Sequence, residues 1–267
     1  MRNIGNFLYR DLYKSILFRL DSGKIFRYDP VIWRIPMKQE LIPNVFSAFS
    51  ARSYEAFYGT PYGKTIDRLE KALMEKLVRE ALHYSESSSL QLLEVGCGTG
   101  VWTDFFARLG FTVMGIDPSE AMLEVARSKN IPRATYKQAV AEDLPFPPRS
   151  FDAVAAITVL EFVEDLSLAV REIERVLKPG GVFFGGFLNR DSELGRRQAE
   201  DPIIRHASLY NKAEIEEFLS SFQDVVIEGC VYLSDKGEVM DGKAEETRFS
   251  PAFYGVRASK LKGGSAE

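Results

Sequence analysis

The sequence predicts an α/β fold: a doubly wound, mostly parallel sheet of seven strands with helical additions at the N-terminus. Three observations carry that expectation. Short apolar runs alternate with amphipathic stretches from about residue 90 to residue 187, the order that lays parallel strands side by side with helices on both faces. The run Leu92-Leu93-Glu94-Val95 leads directly into Gly96-Cys97-Gly98-Thr99-Gly100. Glycines so spaced suit a tight strand-to-helix turn where a ligand lies against bare backbone. Asp117 closes the next strand, 21 residues after Gly96, the distance at which an acid in dinucleotide-type folds accepts hydrogen bonds from a ribose.

From the N-terminus, Ile4 to Leu20 places Phe7, Leu8, Leu12, Ile16, Leu17 and Leu20 on a helical stripe. Basic residues outnumber acids eight to four over positions 1–40. This helix reads either as a substrate lid or membrane-surface helix, or as one packed on the domain or on a second copy in a homodimer. Pro30, Pro36 and Pro43 exclude regular helix from the stretch up to residue 48. Residues 1–48 are therefore set apart as an extension, 49–260 as the main domain and 261–267 as a disordered tail.

Phe49 to Gly63 is dense in aromatic residues, and Lys64 to Tyr84 is an amphipathic helix with Ile66, Leu69, Leu73, Leu77 and Ala81 in register. Ser85 to Ser89 is a polar linker. After the glycine turn, Val101 to Leu109 reads as helix with Trp102, Phe105, Phe106 and Leu109 on one face, ended by Gly110. Phe111 to Ile116 is the second strand. Pro118 bars its continuation, and Ser119 caps a helix from Glu120 to Lys129 with Met122, Leu123 and Ala126 inward. Ala134 to Val140 is the third strand. The prolines between Ala141 and Asp152 demand a shaped loop. Phe151 to Ile157 is a buried fourth strand, Leu166 to Leu177 a helix stopped by Lys178-Pro179-Gly180-Gly181, and Val182 to Phe187 the fifth strand. Asn211 with Glu214 forms a capping box for a helix to Ser220. Val225 to Ile227 and Phe253 to Ala258 are strands with no helix between them, which fits an antiparallel hairpin.

Composition narrows the function. A net charge of −4 argues against a general nucleic-acid binder, which would carry a basic footprint. Two cysteines, Cys97 and Cys230, make no disulfide framework, and with His83 and His206 they make no metal cluster. No run reaches the eighteen or so apolar residues of a membrane span. Arg10, Asp11, Lys14 and Arg19 interrupt any signal-peptide core. A cytoplasmic protein is the expectation.

The turn is G-x-G-x-G rather than G-x-G-x-x-G, and an acid, Glu94, precedes it within the strand. On these residues the chain resembles the class I S-adenosylmethionine-dependent methyltransferases of the type 11 subgroup, from about Phe49 to Lys260 and most strongly between Leu92 and Phe187. The resemblance implies a seven-stranded Rossmann-like methyltransferase fold, S-adenosylmethionine as cofactor, S-adenosylhomocysteine as product and a small-molecule methyl acceptor. Asp117 would receive the ribose. The turn from Gly96 through Cys97 and Gly98 to Gly100 would receive the methionyl part, where a side chain on Gly96 or Gly98 would fill the ligand's volume. Glu94 would orient the amino group. Pro118, Ser119 and Met122 with Ala141, Glu142 and Asp143 would form the purine slot. Val140 stands where relatives often carry an acid, so Glu142, Asp143 or backbone groups would serve instead. Ile157 and Thr158 lie at the mouth of the fourth strand. The aromatic lead-in would fold over the cofactor, which makes Tyr54 and Tyr58 pocket candidates beside the alternative that they are core.

The histidine that some small-molecule relatives place two residues after the strand-four Val-Leu pair is absent, since the order here is Val159-Leu160-Glu161-Phe162. Tyr58, Glu161 and His206 are the groups available as a base, none singled out, and a base is needed only if the acceptor must lose a proton. Arg190, Arg196, Arg197 and Arg205 lie where relatives build acceptor pockets. They read either as holding an anionic acceptor, with Tyr58 beside them, or as a solvated face. A methyltransferase for protein or RNA and a non-catalytic S-adenosylmethionine-binding protein are the alternatives.

Overall fold

A computed structural model describes residues 48–81, 90–240 and 248–262. The expected helix from Ile4 to Leu20, the linker Ser85 to Ser89 and the tail from Gly263 lie outside the described residues. Along the chain run α1 (Ala48–Gly59), α2 (Pro61–Ala81), β1 (Gln91–Val95), α3 (Val101–Arg108), β2 (Thr112–Asp117), α4 (Glu120–Ser128), β3 (Ala134–Gln138), β4 (Phe151–Ile157), α5 (Leu166–Val176), β5 (Leu177–Leu188), α6 (Glu193–Arg196), α7 (Lys212–Phe218), β6 (Gln223–Tyr232) and β7 (Pro251–Ser259).

The seven strands form one sheet in the order β3-β2-β1-β4-β5-β7-β6. The first five are parallel, and β7 runs antiparallel between β5 and β6. Strand alternation divides the core. Leu93, Val95, Val154, Ala156, Phe183 and Phe187 point to one face, where α5 and α7 bring Ala169, Ile173, Val176 and Ile215. Leu92, Val113, Ala153, Ala155 and Phe184 point to the other, against Trp102 and Phe106 of α3 and Met74, Leu77 and Val78 of α2. A strand apolar on both sides is buried on both, which is why the central strands read as continuous apolar runs.

Of the boundaries that differ from expectation, two bear on the architecture. The Lys178 to Gly181 stop lies inside β5, because a register shift between Phe151 and Ala153 lets β4 pair with Leu177 and then with Val182. The aromatic lead-in is regular helix, and α2 starts at Pro61, where a missing N–H costs nothing. The corner between α1 and α2 is tight: Gly63 N–H donates to Thr60 Oγ1 at 2.9 Å, and a Cβ on Gly63 would lie 2.1 Å from the Phe57 carbonyl oxygen. The capping box at Asn211 and Glu214 forms as read.

Candidate functional site

The strand order reverses between β1 and β4, and at such a switch point the connections leave in opposite directions and open a crevice at the strands' carboxyl ends. A cavity of about 870 Å³ lies there, roofed by α1 and the start of α2. That volume is at the upper end for small-molecule sites.

Asp117, at the end of β2, lies on the cavity wall. Its Oδ2 accepts from Gly98 N at 2.9 Å and its Oδ1 from Ser119 N at 2.8 Å, so the carboxylate is aimed by two backbone amides. Burial raises its pKa and those two donors oppose the rise. The three glycines prove to have three different reasons. Gly98, at φ +52°, has nothing within 4 Å of where a Cβ would stand, and its open side is the cavity. Gly96, at φ +67°, would drive a Cβ to 2.2 Å from Val159 Cγ2, so here protein packing, rather than ligand volume, excludes the side chain. Gly100, at φ +85°, precedes α3 with Ile131, Ala126 and Tyr136 at 3.2–3.3 Å from a Cβ and lies off the cavity.

Tyr54, Pro118, Met122, Ala141, Glu142, Ile157 and Thr158 line the cavity beside Asp117, Gly96 and Gly98. Thr158 holds φ 50°, a left-handed conformation costly for a β-branched residue, while its N–H donates to Gly186 O at 2.8 Å. Glu142 is engaged, its Oε1 accepting from Glu164 N at 2.8 Å, which favours backbone groups over this carboxylate in the purine slot. Glu94 and Cys97 sit behind the wall. Glu94 accepts from Thr103 Oγ1 and, fully buried, is pushed up to about 8 by desolvation. Cys97 packs beneath Gly115, and burial raises its thiol pKa.

The roof is fastened. Glu55 of α1 accepts from Thr99 Oγ1 in the glycine turn and from Lys129 Nζ at 2.8 Å beyond α4. Its neighbours Tyr54 and Tyr58 turn inward, rings edge to face at 5.1 Å and hydroxyls 3.1 Å apart. Both phenols are raised well above their ordinary pKa by burial. Glu161, in the short 3-10 turn Leu160–Phe162 that follows β4, is 1% exposed: Oε1 accepts from Leu188 N at 2.7 Å, whereas Oε2 has no partner. Burial pushes this carboxyl up to about 7. His206 lines the cavity, its pKa lowered by burial and then by Arg205.

The arginines expected on the acceptor side are not in the wall. Arg196 pairs with Glu193 at 2.9 Å, Arg197 with Glu200 at 3.0 Å and Arg190 with Glu214 at 3.0 Å; Arg205 does not line the cavity either. Among the described residues no lysine or arginine lines it. The expectation of an anionic acceptor therefore finds no cation here. Sequence reading missed Glu70, which lines the cavity from α2 at 8% exposure and is pushed up to about 8 by burial. A signal existed. Glu70 stands four residues after Ile66 and three before Leu73, on the apolar stripe of the helix, where a solvated acid does not belong.

Comparison with known proteins points to methyltransferases. A family model described as a methyltransferase domain matches residues 93–185. An uncharacterised protein of Methanocaldococcus jannaschii is 31% identical over 216 residues, covering 76% of this chain and 97% of that protein. The ubiquinone biosynthesis O-methyltransferase of Pseudomonas syringae pv. tomato is 40% identical over 105 residues, 38% of this chain and 45% of that one. This chain spans about half the length of several curated relatives it matches. A Thermotoga maritima structure, described as a methyltransferase that is a possible histamine N-methyltransferase, is 26% identical with a TM-score of 0.61, covering 82% of this chain and 99% of that one.

Proposed function

The chain belongs to the class I S-adenosylmethionine-dependent methyltransferases, type 11 subgroup, and from that premise we propose that it transfers a methyl group to a small molecule enclosed in the cavity under α1 and α2. The observation that carries the reading is the pairing of Asp117, aimed by two amides, with the open flank of Gly98 on one wall of that cavity. A cofactor with a ribose and an amino-acid end fits such a wall. Asp117 would accept from ribose hydroxyls, the Gly96–Gly98 backbone would lie along the methionyl chain, and Met122 and Ala141 would face the purine.

S-adenosylmethionine, when bound, supplies a methyl group on a sulfonium already activated for displacement. What remains for the protein is to hold the acceptor, align it and exclude water. Tyr54, Phe57 and Tyr58 close the roof over the cavity, and Glu161 offers a buried carboxyl at its floor. With its pKa pushed up to about 7, that carboxyl can take or return a proton near neutrality.

The test is titration calorimetry with S-adenosylmethionine and S-adenosylhomocysteine. One saturable site is expected, and Asp117→Ala should weaken it by about 1–3 kcal/mol, the worth of charge-assisted hydrogen bonds to hydroxyls. Unchanged affinity in that variant would remove Asp117 from the site.

A further inference from the structure

We propose that the methyl acceptor is a small organic amine, bound as the ammonium cation it is in water, held between the tyrosine wall of α1 and α2 and the carboxyls of Glu70 and Glu161. Before transfer Glu161 takes the ammonium proton, which frees the nitrogen lone pair to accept the methyl group with the thioether as leaving group. This rests on the reading of the cavity as the methyl-transfer site and names the class of molecule that would share it with the cofactor.

Seven carboxylates line the cavity among the described residues, and no lysine or arginine does. The imbalance alone would say little, because most of these acids are already engaged. Asp117 accepts from Gly98 and Ser119, Glu142 from Glu164, Asp165 from Leu168 N and Asp201 from Ile203 N and Ile204 N. Glu164 is exposed. Glu70 and Glu161 are different: both are more than nine-tenths buried. Glu161 Oε2 is a buried acceptor without a donor. Glu70 is given no hydrogen-bond donor by the described residues, and Lys71, next along the helix, is paired with Asp67 at 2.7 Å. Buried acceptors in native proteins are almost always satisfied, so Glu161 Oε2 points to a donor brought by a ligand, and Glu70 offers a second acceptor lining the same cavity.

The material around Glu70 selects the kind of donor. Tyr54 and Tyr58 stack edge to face, with Phe57 against Tyr58 at 5.4 Å and against Tyr62 at 6.4 Å. Tyr54, Tyr58 and Tyr62 all lie close enough to Glu70 for its charge to raise their pKa values. Aromatic faces beside a carboxyl are the surroundings that hold ammonium groups, through the ring quadrupole and a charged hydrogen bond together. An anion placed there would meet aromatic faces and carboxyls. Arg197 comes within electrostatic reach of Tyr62 but is spent on Glu200.

Burial, and then the charge of Asp67, push the Glu70 carboxyl up to about 8, with Lys71 opposing. A cation entering beside it favours the carboxylate, so binding should release a proton to solvent.

The experiment uses the full chain saturated with S-adenosylhomocysteine and three probes on one skeleton: 2-phenylethylamine, 2-phenylethanol and 3-phenylpropanoate. Ligand-observed magnetic resonance and calorimetry at pH 7 read the affinities. The amine is expected to bind at least tenfold more tightly than the alcohol, with the carboxylate weakest and proton uptake by the buffer accompanying the amine. Glu70→Gln, which keeps the side chain's size, should remove most of the preference for the amine over the alcohol and sharply reduce proton release. Equal or tighter binding of the carboxylate would overturn the proposal, as would a preference untouched by both Glu70→Gln and Glu161→Gln. Failure of S-adenosylhomocysteine to bind at all would instead overturn the reading of the site. Normal binding of it with no selectivity for the amine would overturn the acceptor class alone.

Discussion

Replacing Glu161 by glutamine should make the fold less sensitive to alkali. In the native chain Glu161 is 1% exposed, one oxygen takes the Leu188 N–H and the other has no donor, and the carboxyl is pushed up to about 7 by burial. An ordinary unfolded glutamate titrates near 4.5. A group whose folded pKa lies above its unfolded one contributes stability that is complete below the unfolded value and is lost as pH rises through the folded value. Here the window runs from about pH 4.5 to pH 7. A shift of roughly 2.5 units at 1.36 kcal/mol each is about 3 kcal/mol in all, of which about 2 to 3 falls between pH 5 and pH 8. Glutamine keeps an acceptor for Leu188 and cannot ionise, so its share of the pH dependence disappears. Urea unfolding of the native chain and Glu161→Gln at pH 5 and pH 8 gives the comparison. Glu70 and Glu94, both pushed up to about 8, have the same sign and should leave a residual loss in the variant. Parallel pH profiles for the two proteins would refute the placement of an ionisable, desolvated carboxyl at 161.

The two glycines of the turn should separate. Gly98→Val is expected to abolish S-adenosylhomocysteine binding in calorimetry while the protein remains folded, since its Cβ enters the cavity and meets no protein atom within 4 Å, although a β-branched residue at φ +52° carries some backbone strain. Gly96→Ala should instead cost stability, seen as a lower urea midpoint, because its Cβ runs into Val159 at 2.2 Å. Glu55→Ala should change stability by less than about 1 kcal/mol, as half-exposed pairs usually do. It should nonetheless speed cofactor dissociation measured by stopped flow, because Thr99 and Lys129 lose their hold on α1.

What was legible in the sequence was what is local. The glycine turn, Asp117 and the Asn211 capping box are written within a few residues, and Gly98, Asp117 and Ser119 engage one another as their spacing suggests. The need for Gly96 was legible but its cause was not, because Val159 approaches from a different strand end. The same limit hid the length of β5, where a register shift against β4 absorbs the Pro-Gly-Gly run. Arg196 and Arg197 illustrate the opposite error. Their clustering suggested a ligand, but glutamates three residues away neutralise them on the surface. Glu70 is the reverse: a single acid among many along a charged helix, given away only by standing on its apolar side.

The cavity wall is drawn from two populations of residues. Asp117, the glycine turn, Ala141 and the end of β4 fall within residues 93–185, the span shared with the methyltransferase-domain family. The roof and far wall come from outside it, from Ser53 to Glu70 before and from Leu188 to Ser208 after. Inheritance can therefore act on the two parts separately. Substitutions in the wings leave Asp117 and its amides untouched, so on the proposed reading acceptor choice would change without rebuilding the cofactor wall. Kinship in acceptor choice would have to be traced through the flanking segments, beginning with Tyr58 and Glu70, which line the same cavity.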